Sequence, residues 1–272
     1  PLSLSQYAEQ IFIKTQVVPA LVRSGEGSII LDCDYDLEKT PEAGLYVKWW
    51  HNENTMVYQW LYNFGQPQAL APVDKYIDLS HKASDDPKTM YRAMKLIKPG
   101  LELTGQYTCT VSTDAAEDSQ TKEMIVYSTA NPRLIHKKTS VNGVDGVELT
   151  CVAEGLYPRP TLDVSVDNVP VEQRPIVTQG TDKRYNITTR VELRDEDVQD
   201  PSNVICVLGI PAANYTASTD YMYYPGDSNT QSSNVKSRTA IRGKLCFRLQ
   251  IYIYIYIYIW MEYICLSFTG TR

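Results

Sequence analysis

Several short runs in this chain alternate hydrophobic and polar residues, the pattern of β-strands that bury one face. Residues 28–35, 45–50, 105–111 and 146–153 alternate in this way, and residues 185–193 repeat the pattern farther along. The second half also contains turn residues, such as Pro158 and Pro160, directly after such a run. We therefore predict an all-β protein.

Four cysteines precede the tail. Cys33, Cys109 and Cys151 lie within alternating runs, and Cys206 follows the last of them. Four cysteines allow three disulfide connectivities, so local context has to choose among them. Trp49 follows the first cysteine by 16 residues, and Tyr107 stands two residues before the second. Immunoglobulin sandwiches use this spacing, with the tryptophan packed on the disulfide between the two sheets. We expect one bond between the first two cysteines and another between the last two, with Trp49 and Tyr107 in the core.

The two cysteine pairs differ in separation, and this difference predicts two kinds of sandwich. The first pair is 76 residues apart, which leaves room for the additional C' and C'' strands of a variable-type domain. The second pair is 55 residues apart, which fits a constant-type domain. There, Val164 and Val204 occupy the usual tryptophan and tyrosine positions, so we expect a smaller core packed with aliphatic side chains.

The predicted organisation is two tandem immunoglobulin-like β-sandwiches, variable-type and then constant-type, followed by an irregular C-terminal tail. The boundaries we expect are an N-terminal fragment at 1–14, the variable-type domain at 15–129, the constant-type domain at 130–226, and a linker with a low-complexity tail at 227–272. Charge supports the last boundary, since residues 228–272 carry a net charge of +5 while the whole chain carries −6.

The tail contains a strict Ile-Tyr alternation at residues 251–259, for which three explanations compete. Residues 251–268 approach the length of a transmembrane helix and follow basic residues, but they include five tyrosines and Glu262. As a β-strand, the segment would be an aggregation hazard. A TA dinucleotide repeat would also encode this alternation in every reading frame, and we favour that explanation. In that case the native C-terminus differs from this one, and membrane anchoring stays open.

Other features indicate the secretory route. Paired cysteines are typical of oxidising compartments, and two N-glycosylation sequons begin at Asn186 and Asn214. Residues 1–14 begin with Pro1 and lack the hydrophobic core of a signal peptide, so we expect the true start to lie upstream. We predict an extracellular protein, secreted or anchored at the cell surface, in which Cys246 and Cys265 stay unpaired.

The sequence offers little material for catalysis or for binding a metal or cofactor. Three histidines are present, at positions 51, 81 and 136. The alternating aspartates of residues 32–36 resemble a calcium loop, but Leu37 and Ala43 stand where such a loop needs glycine and glutamate. Residues 226–228 have no histidine partner of the serine-protease type, and residues 195–197 fit an acidic turn. We expect neither an enzyme nor a cofactor, and the net charge argues against nucleic-acid binding.

Aromatic residues next to the predicted core suggest a protein-binding face. Because Trp49 points inward, Trp50 must point outward beside Tyr46 and Lys48. On the following strand, one of two sets of alternate residues joins this surface, either Tyr58, Trp60 and Tyr62 or Val57, Gln59 and Leu61. We assign the face to the following residues: Tyr46, Lys48, Trp50, Tyr58, Trp60, Thr108 and Thr110. Exposed tyrosine and tryptophan are typical of protein interfaces. The alternative is a soluble binding module for a small ligand or carbohydrate, which would need a deep pocket.

The first domain also resembles a known family. The resemblance rests on residues 17–22, 31–38, 45–49 and 103–112, among which the run Cys33-Asp34-Tyr35-Asp36-Leu37-Glu38 is the most specific part. Over about residues 15–127 the chain is similar to the beaten-path family of insect immunoglobulin cell-surface proteins, whereas the second domain resembles constant-type domains in general. The resemblance implies a neuronal or epithelial recognition protein, including a role in axon guidance. Its expected partner is an immunoglobulin-superfamily receptor, or a second copy of itself, bound through the front sheet of the first domain.

Overall fold

A computed structural model describes residues 10–226. Within this range the chain forms two β-sandwiches that follow each other in sequence. The strands of the first sandwich are β1 (Phe12–Val17), β2 (Leu21–Arg23), β3 (Ser28–Asp36), β4 (Tyr46–His51), β5 (Thr55–Leu61), β6 (Gln68–Ala69), β7 (Ile77–Asp78), β8 (Met94–Ile97), β9 (Gly105–Ser112) and β10 (Glu117–Tyr127). The strands of the second are β11 (Arg133–Val141), β12 (Val144–Leu156), β13 (Thr161–Val166), β14 (Val169–Pro170), β15 (Ile176–Gln179), β16 (Tyr185–Arg194), β17 (Ser202–Ile210) and β18 (Tyr215–Tyr223).

The first sandwich has the strand order of a variable-type immunoglobulin domain. One sheet has the order β1-β3-β8-β7, and the other has the order β2-β10-β9-β4-β5-β6. The strands β5 and β6 continue the second sheet beyond β4, which confirms the two additional strands predicted from the cysteine separation. The short strand β2 pairs in parallel with the end of β10, whereas the neighbouring pairs in this sheet are antiparallel.

The disulfide between Cys33 and Cys109 joins the two sheets of the first sandwich, and their Cα atoms lie 6.4 Å apart. Trp49 is fully buried in the same core, where its indole Nε1 donates a hydrogen bond to the Arg92 carbonyl at 3.2 Å. Tyr107 is also fully buried, and its hydroxyl donates to the Leu103 carbonyl at 2.8 Å. Since this tyrosine-to-backbone bond closes the turn before β9, the first domain contains the tyrosine corner of immunoglobulin domains.

The first domain begins earlier than the sequence suggested. We expected it to start at residue 15, but β1 starts at Phe12. Ile11 and Ile13 are buried at 3% and 0% exposure, within the same core cluster as Trp49. Residues 11–14, assigned above to an N-terminal fragment, therefore belong to the first sandwich.

Side chains of β10 reach across to the backbone of β1, which pairs with β3 in the opposite sheet. Asp118 Oδ2 accepts a hydrogen bond from the Ile13 N–H at 2.8 Å, and Gln120 Nε2 donates to the Ile13 carbonyl at 2.9 Å. Lys122 Nζ donates to the carbonyl of Gln16. These inward polar side chains satisfy backbone groups of β1, so they fasten this edge strand to both sheets.

The second sandwich has the strand orders β11-β12-β16-β15 and β14-β13-β17-β18. A disulfide between Cys151 and Cys206 joins these sheets, with 6.4 Å between the Cα atoms. Val164 and Val204, which stand where immunoglobulin domains often have tryptophan and tyrosine, are buried in a mainly aliphatic core, as expected. Tyr223, which the sequence analysis did not place there, is also fully buried in this core. The strand β14 has only two residues, which keeps this domain close to the constant type.

Two tyrosines and a short backbone pairing join the sandwiches. Tyr157 of the second domain packs against the first core, and Tyr127 of the first domain packs against the second. Ser128 and Tyr157 exchange backbone N–H···O hydrogen bonds of 2.9 and 3.0 Å. The Ser128 hydroxyl also donates to the Gly155 carbonyl at 2.7 Å. We call these contacts the elbow.

Residues 10–226 contain no helix with the length and apolar character needed to cross a bilayer. The tail at 227–272, including Cys246, Cys265 and the Ile-Tyr repeat, lies outside the described residues.

Candidate functional site: the front face of the first domain

The outward residues of β4 lie where the two-residue period placed them. Val47 and Trp49 point into the core with 0% exposure, so Tyr46, Lys48 and Trp50 point to the opposite side and are half-buried. On the neighbouring strand β9, Thr110 lies opposite Lys48 and Thr108 lies opposite Trp50. These two threonines are also half-buried, so the structure brings five of the predicted residues together on one surface.

Tyr58 and Trp60 do not belong to this surface, and their assignment to the binding face was wrong. Their exposures are 1% and 2%, and both contribute to the core of the first domain. Tyr58 pairs directly with inward-facing Trp49, whereas outward-facing Trp50 pairs with Met56. The register therefore shifts between Trp49 and Trp50, and Val57 becomes an additional buried residue between the two pairings.

The polar atoms of the two misassigned aromatic residues find backbone partners inside the domain. The Tyr58 hydroxyl donates to the Tyr91 carbonyl at 2.8 Å, and Trp60 Nε1 donates to the Gly65 carbonyl at 3.0 Å. Burial raises the pKa of the Tyr58 hydroxyl, which keeps it neutral. Because a satisfied polar end removes the main cost of burying such a side chain, both residues are stable in the core.

Other residues of β5 lie on this surface instead of Tyr58 and Trp60. Met56, Gln59 and Leu61 pair with the outward residues of β4 and are half-buried. Only Gln59 and Leu61 appeared in the sequence analysis, as members of the alternative parity. The hairpin register between β4 and β5 is the signal that identifies Met56, and the sequence alone did not fix that register. We define the front face by these residues: Tyr46, Lys48, Trp50, Met56, Gln59, Leu61, Thr108, Thr110 and Glu117.

Tyr46 connects the charged groups of the front face. Lys48 Nζ lies 4.0 Å from the centre of the Tyr46 ring, a cation–π distance. The Tyr46 hydroxyl donates to Glu117 Oε2 at 3.0 Å, which places the carboxylate beside the aromatic pair. Burial raises the pKa of Tyr46, a hydrogen bond with Ser112 opposes this, and Glu117 raises it further, so the hydroxyl stays a donor at neutral pH. Tyr46 therefore contacts one positive group, the Lys48 ammonium, and one negative group, the Glu117 carboxylate, on the front face.

Arg92 forms ion pairs with two aspartates of β3, Asp32 and Asp34. Its guanidinium forms two hydrogen bonds to Asp32, at 2.9 and 3.1 Å, and one to Asp34 at 2.5 Å. Burial opposes the charge of Arg92, but these carboxylates outweigh it and raise the guanidinium pKa. Lys14 lies 3.8 Å from Asp34 and 3.7 Å from Asp36. These carboxylates are ion-paired, and within residues 10–226 no group of His, Cys, Asp or Glu side chains is arranged to hold a metal ion.

The remaining predicted positions lie in the second domain. The side chains of Asn186 and Asn214 are exposed, on β16 and directly before β18. Residues 195–197 form a 3-10 turn between β16 and β17, as expected. Asp195 in this turn accepts hydrogen bonds from the Tyr223 hydroxyl and from the Gly226 N–H, so it has a structural role there.

Comparison with known proteins identifies the fold. Neither protein-family models nor curated proteins match the sequence. Among solved structures, bovine butyrophilin is similar with a TM-score of 0.61 and 16% identity, over 79% of this chain and 98% of that one. The ectodomain of mouse nectin-like molecule 4, which spans Ig1–Ig3, gives a TM-score of 0.51 and 18% identity, over 79% of this chain and 66% of that one. With the strand orders and both disulfides, these likenesses show that residues 10–226 form two tandem immunoglobulin-like β-sandwiches.

Proposed function

We propose that this chain is an extracellular, non-enzymatic recognition protein that binds an immunoglobulin-superfamily partner through the front face. The observation that carries the proposal is the outward surface of β4, β5 and β9. There, half-buried Trp50 lies between Met56 and Thr108, and half-buried Tyr46 lies opposite Leu61 at the other end of β4. Aromatic residues and methionine in the middle of a patch with few charges are the composition of protein interfaces.

The shape of the front face favours a protein partner over a small ligand. Small-molecule sites are concave and enclose most of the ligand surface. Two open grooves, of 380 and 270 Å³, are lined by residues that do not belong to the front face. The front face is instead the outward surface of paired strands, with half-buried aromatic residues on it, and such a surface suits a contact that buries about 1,200–2,000 Å² in total.

The expected compartment follows from the two disulfides, because such bonds persist in oxidising environments. Bovine butyrophilin and the nectin-like ectodomain support the same assignment through their fold. We also propose membership of the beaten-path family and a role in axon guidance, on the strength of residues 31–38 and 103–112.

A binding experiment tests the proposal. The chain is presented to an array of immunoglobulin-superfamily ectodomains that includes the chain itself, and affinity is measured for any partner found. Trp50→Ala should weaken binding by about 2 kcal/mol or more, since central aromatic residues dominate such interfaces. Ile30→Ala is the matched control, because Ile30 is an exposed apolar residue on β3 of the opposite sheet.

Two results would reject the front face as the binding surface. One is unchanged affinity of a correctly folded Trp50→Ala protein. The other is an equal loss of affinity in Ile30→Ala, which would indicate a contact through the β1-β3-β8-β7 sheet.

A further inference from the structure

An open groove of 270 Å³ lies on the outer surface of the second sandwich, beside the turn from β17 to β18. Gly209 and Val207 line it and are half-buried, and the absence of a side chain at Gly209 lets Thr161 approach closely, since a Cβ there would lie 2.6 Å from Thr161 Oγ1. The other lining residues are Thr161, Asp163, Pro211, Asn214, Tyr215 and Thr216. The groove thus combines an apolar floor with polar groups at its rim, the composition of a small carbohydrate subsite.

The N-glycosylation sequon Asn214-Tyr215-Thr216 forms part of this rim. Asn214 has φ 48° and ψ 37°, a left-handed conformation that asparagine tolerates. Its N–H donates to the Pro211 carbonyl at 3.0 Å, which closes the turn. The exposed Asn214 side chain is therefore held at a defined place next to the groove.

We propose that Asn214 carries an N-linked glycan whose innermost N-acetylglucosamine occupies this groove. In the transfer, the Asn214 amide nitrogen attacks C1 of the sugar in a polyprenyl-pyrophosphate-linked oligosaccharide. The new C–N bond replaces the bond from C1 to the phosphate oxygen, and polyprenyl pyrophosphate and one proton leave. The proposal requires passage through the secretory route but does not depend on the front face of the first domain.

The chemistry of the groove matches that of the sugar. The apolar face of the sugar ring fits against Val207 on the floor of the groove. Thr161 and Asp163 are exposed at the rim, where they supply a hydroxyl and a carboxylate to the sugar hydroxyls and the acetamide. The volume lies slightly below the ~300–1,000 Å³ of drug-sized sites, which suits the innermost sugar rather than a whole oligosaccharide.

The second sequon provides an internal comparison. Asn186 is also exposed, but it is not among the residues that line the groove. Its Oδ1 accepts a hydrogen bond from the Gly155 N–H at 2.9 Å, and its Nδ2 atom stays available for a glycan. A glycan at Asn186 would project into solvent, whereas the glycan at Asn214 would rest on the protein.

The experiment compares the two glycans in one molecule. The full chain is secreted from mammalian cells behind a signal peptide, and glycan occupancy at both asparagines is measured by peptide mass spectrometry. The native protein is then treated with peptide-N-glycanase, and release is followed over time at each site. We expect the Asn214 glycan to be released about 10-fold more slowly than the Asn186 glycan, which corresponds to about 1.4 kcal/mol of protection.

A matched pair of variants tests the groove itself. Asp163→Ala removes a rim carboxylate and should accelerate release at Asn214 while release at Asn186 stays unchanged. Asp220→Ala is the control, because Asp220 is an exposed aspartate on β18 that does not line the groove. Equal release rates at the two sites, an acceleration by both variants alike, or an unoccupied Asn214 would each overturn the proposal. Thermal melting confirms that both variants are folded.

Discussion

Trp49 and Trp50 are neighbours in sequence, and their side chains point to opposite sides of β4. Trp49 is fully buried beside the first disulfide, whereas Trp50 is half-buried on the front face. A large-to-small change in a well-packed core removes transfer free energy and leaves a cavity, which costs about 3–5 kcal/mol for an aromatic residue. Surface changes usually stay within about 0.5 kcal/mol, somewhat more for a half-buried indole.

We therefore expect Trp49→Ala to lower the free energy of unfolding by about 3–5 kcal/mol and Trp50→Ala by about 1 kcal/mol or less. Urea denaturation followed by far-UV circular dichroism measures both values. The reverse ranking would mean that the two tryptophans have exchanged faces.

The tyrosine corner gives a second prediction at the scale of a residue. Tyr107→Phe removes the bond from the hydroxyl to the Leu103 carbonyl and leaves that buried acceptor without its donor, so we expect a loss of about 1–2 kcal/mol. Tyr46→Phe removes an exposed hydroxyl bond to Glu117 and should change stability by about 0.5 kcal/mol or less. The denaturation midpoints of the two variants provide the comparison. Similar midpoints would show that the corner does not stabilise this domain.

At the scale of the strand, the attachment of β1 to β10 is made by side chains. Asp118→Ala leaves the Ile13 N–H without its acceptor, so we expect amide hydrogen exchange at Ile13 to accelerate about 10-fold. Ser119→Ala is the control, since Ser119 is the next residue of β10 and points to the opposite side.

Hydrogen exchange followed by mass spectrometry or NMR measures this effect. If Ile13 exchanged at the same rate in the wild type and in Asp118→Ala, the bond between Asp118 and β1 would contribute nothing to holding the strand.

The hairpin of β4 and β5 shows what could be predicted from the sequence and what could not. The spacing between Cys33 and Trp49, together with the two-residue period, correctly placed Trp49 inside and Trp50 outside. The same period failed for Tyr58, because the register depends on the turn after His51 and on the shift beside Trp50. The alternation alone also does not show that backbone carbonyls satisfy the buried polar groups, that of Tyr91 for the Tyr58 hydroxyl and that of Gly65 for the Trp60 indole.

Contacts between remote segments escaped the sequence analysis for the same reason. The alternation along β3 indicates that Asp32 and Asp34 lie outside the core, but it does not reveal that Arg92, some 60 residues later, binds both of them. The groove beside Asn214 depends on Thr161 and Gly209 meeting across two strands. Such pairings follow from the order and register of the strands. The sequence predicted the fold class but not which residues of neighbouring strands lie opposite each other.

At the scale of the whole molecule, His51 links the stability of the first domain to pH. His51 is buried at 6% exposure, and Nε2 lies 3.2 Å from the Thr104 carbonyl. Burial lowers the pKa of this imidazole; the Thr104 hydrogen bond opposes the shift, and Lys183 of the second domain adds to it. The unfolded chain therefore binds a proton at His51 at a higher pH than the folded chain does, and stability must fall as the pH drops below about 6.5.

The prediction is a lower urea midpoint at pH 5.5 than at pH 7.5, with a slope from His51 of at most about 1.4 kcal/mol per pH unit. His51→Gln keeps a polar side chain that does not titrate, so its midpoint should vary less across this range. Identical pH dependence in the two proteins would remove His51 as the source. The loss should level off once the pH is below the pKa of the folded protein.

The position of β10 has a mechanical consequence. This strand borders the front face at Glu117 and continues to Tyr127 at the elbow, so one backbone segment runs from the proposed contact surface to the second domain. A pulling force between a bound partner and the C-terminal side of the chain would run along β10. Its antiparallel pairing with β9, from Glu117 to Met124, would then be loaded in shear, with many hydrogen bonds sharing the tension at once. A force along β10 would thus act on these hydrogen bonds together rather than on one pair at a time.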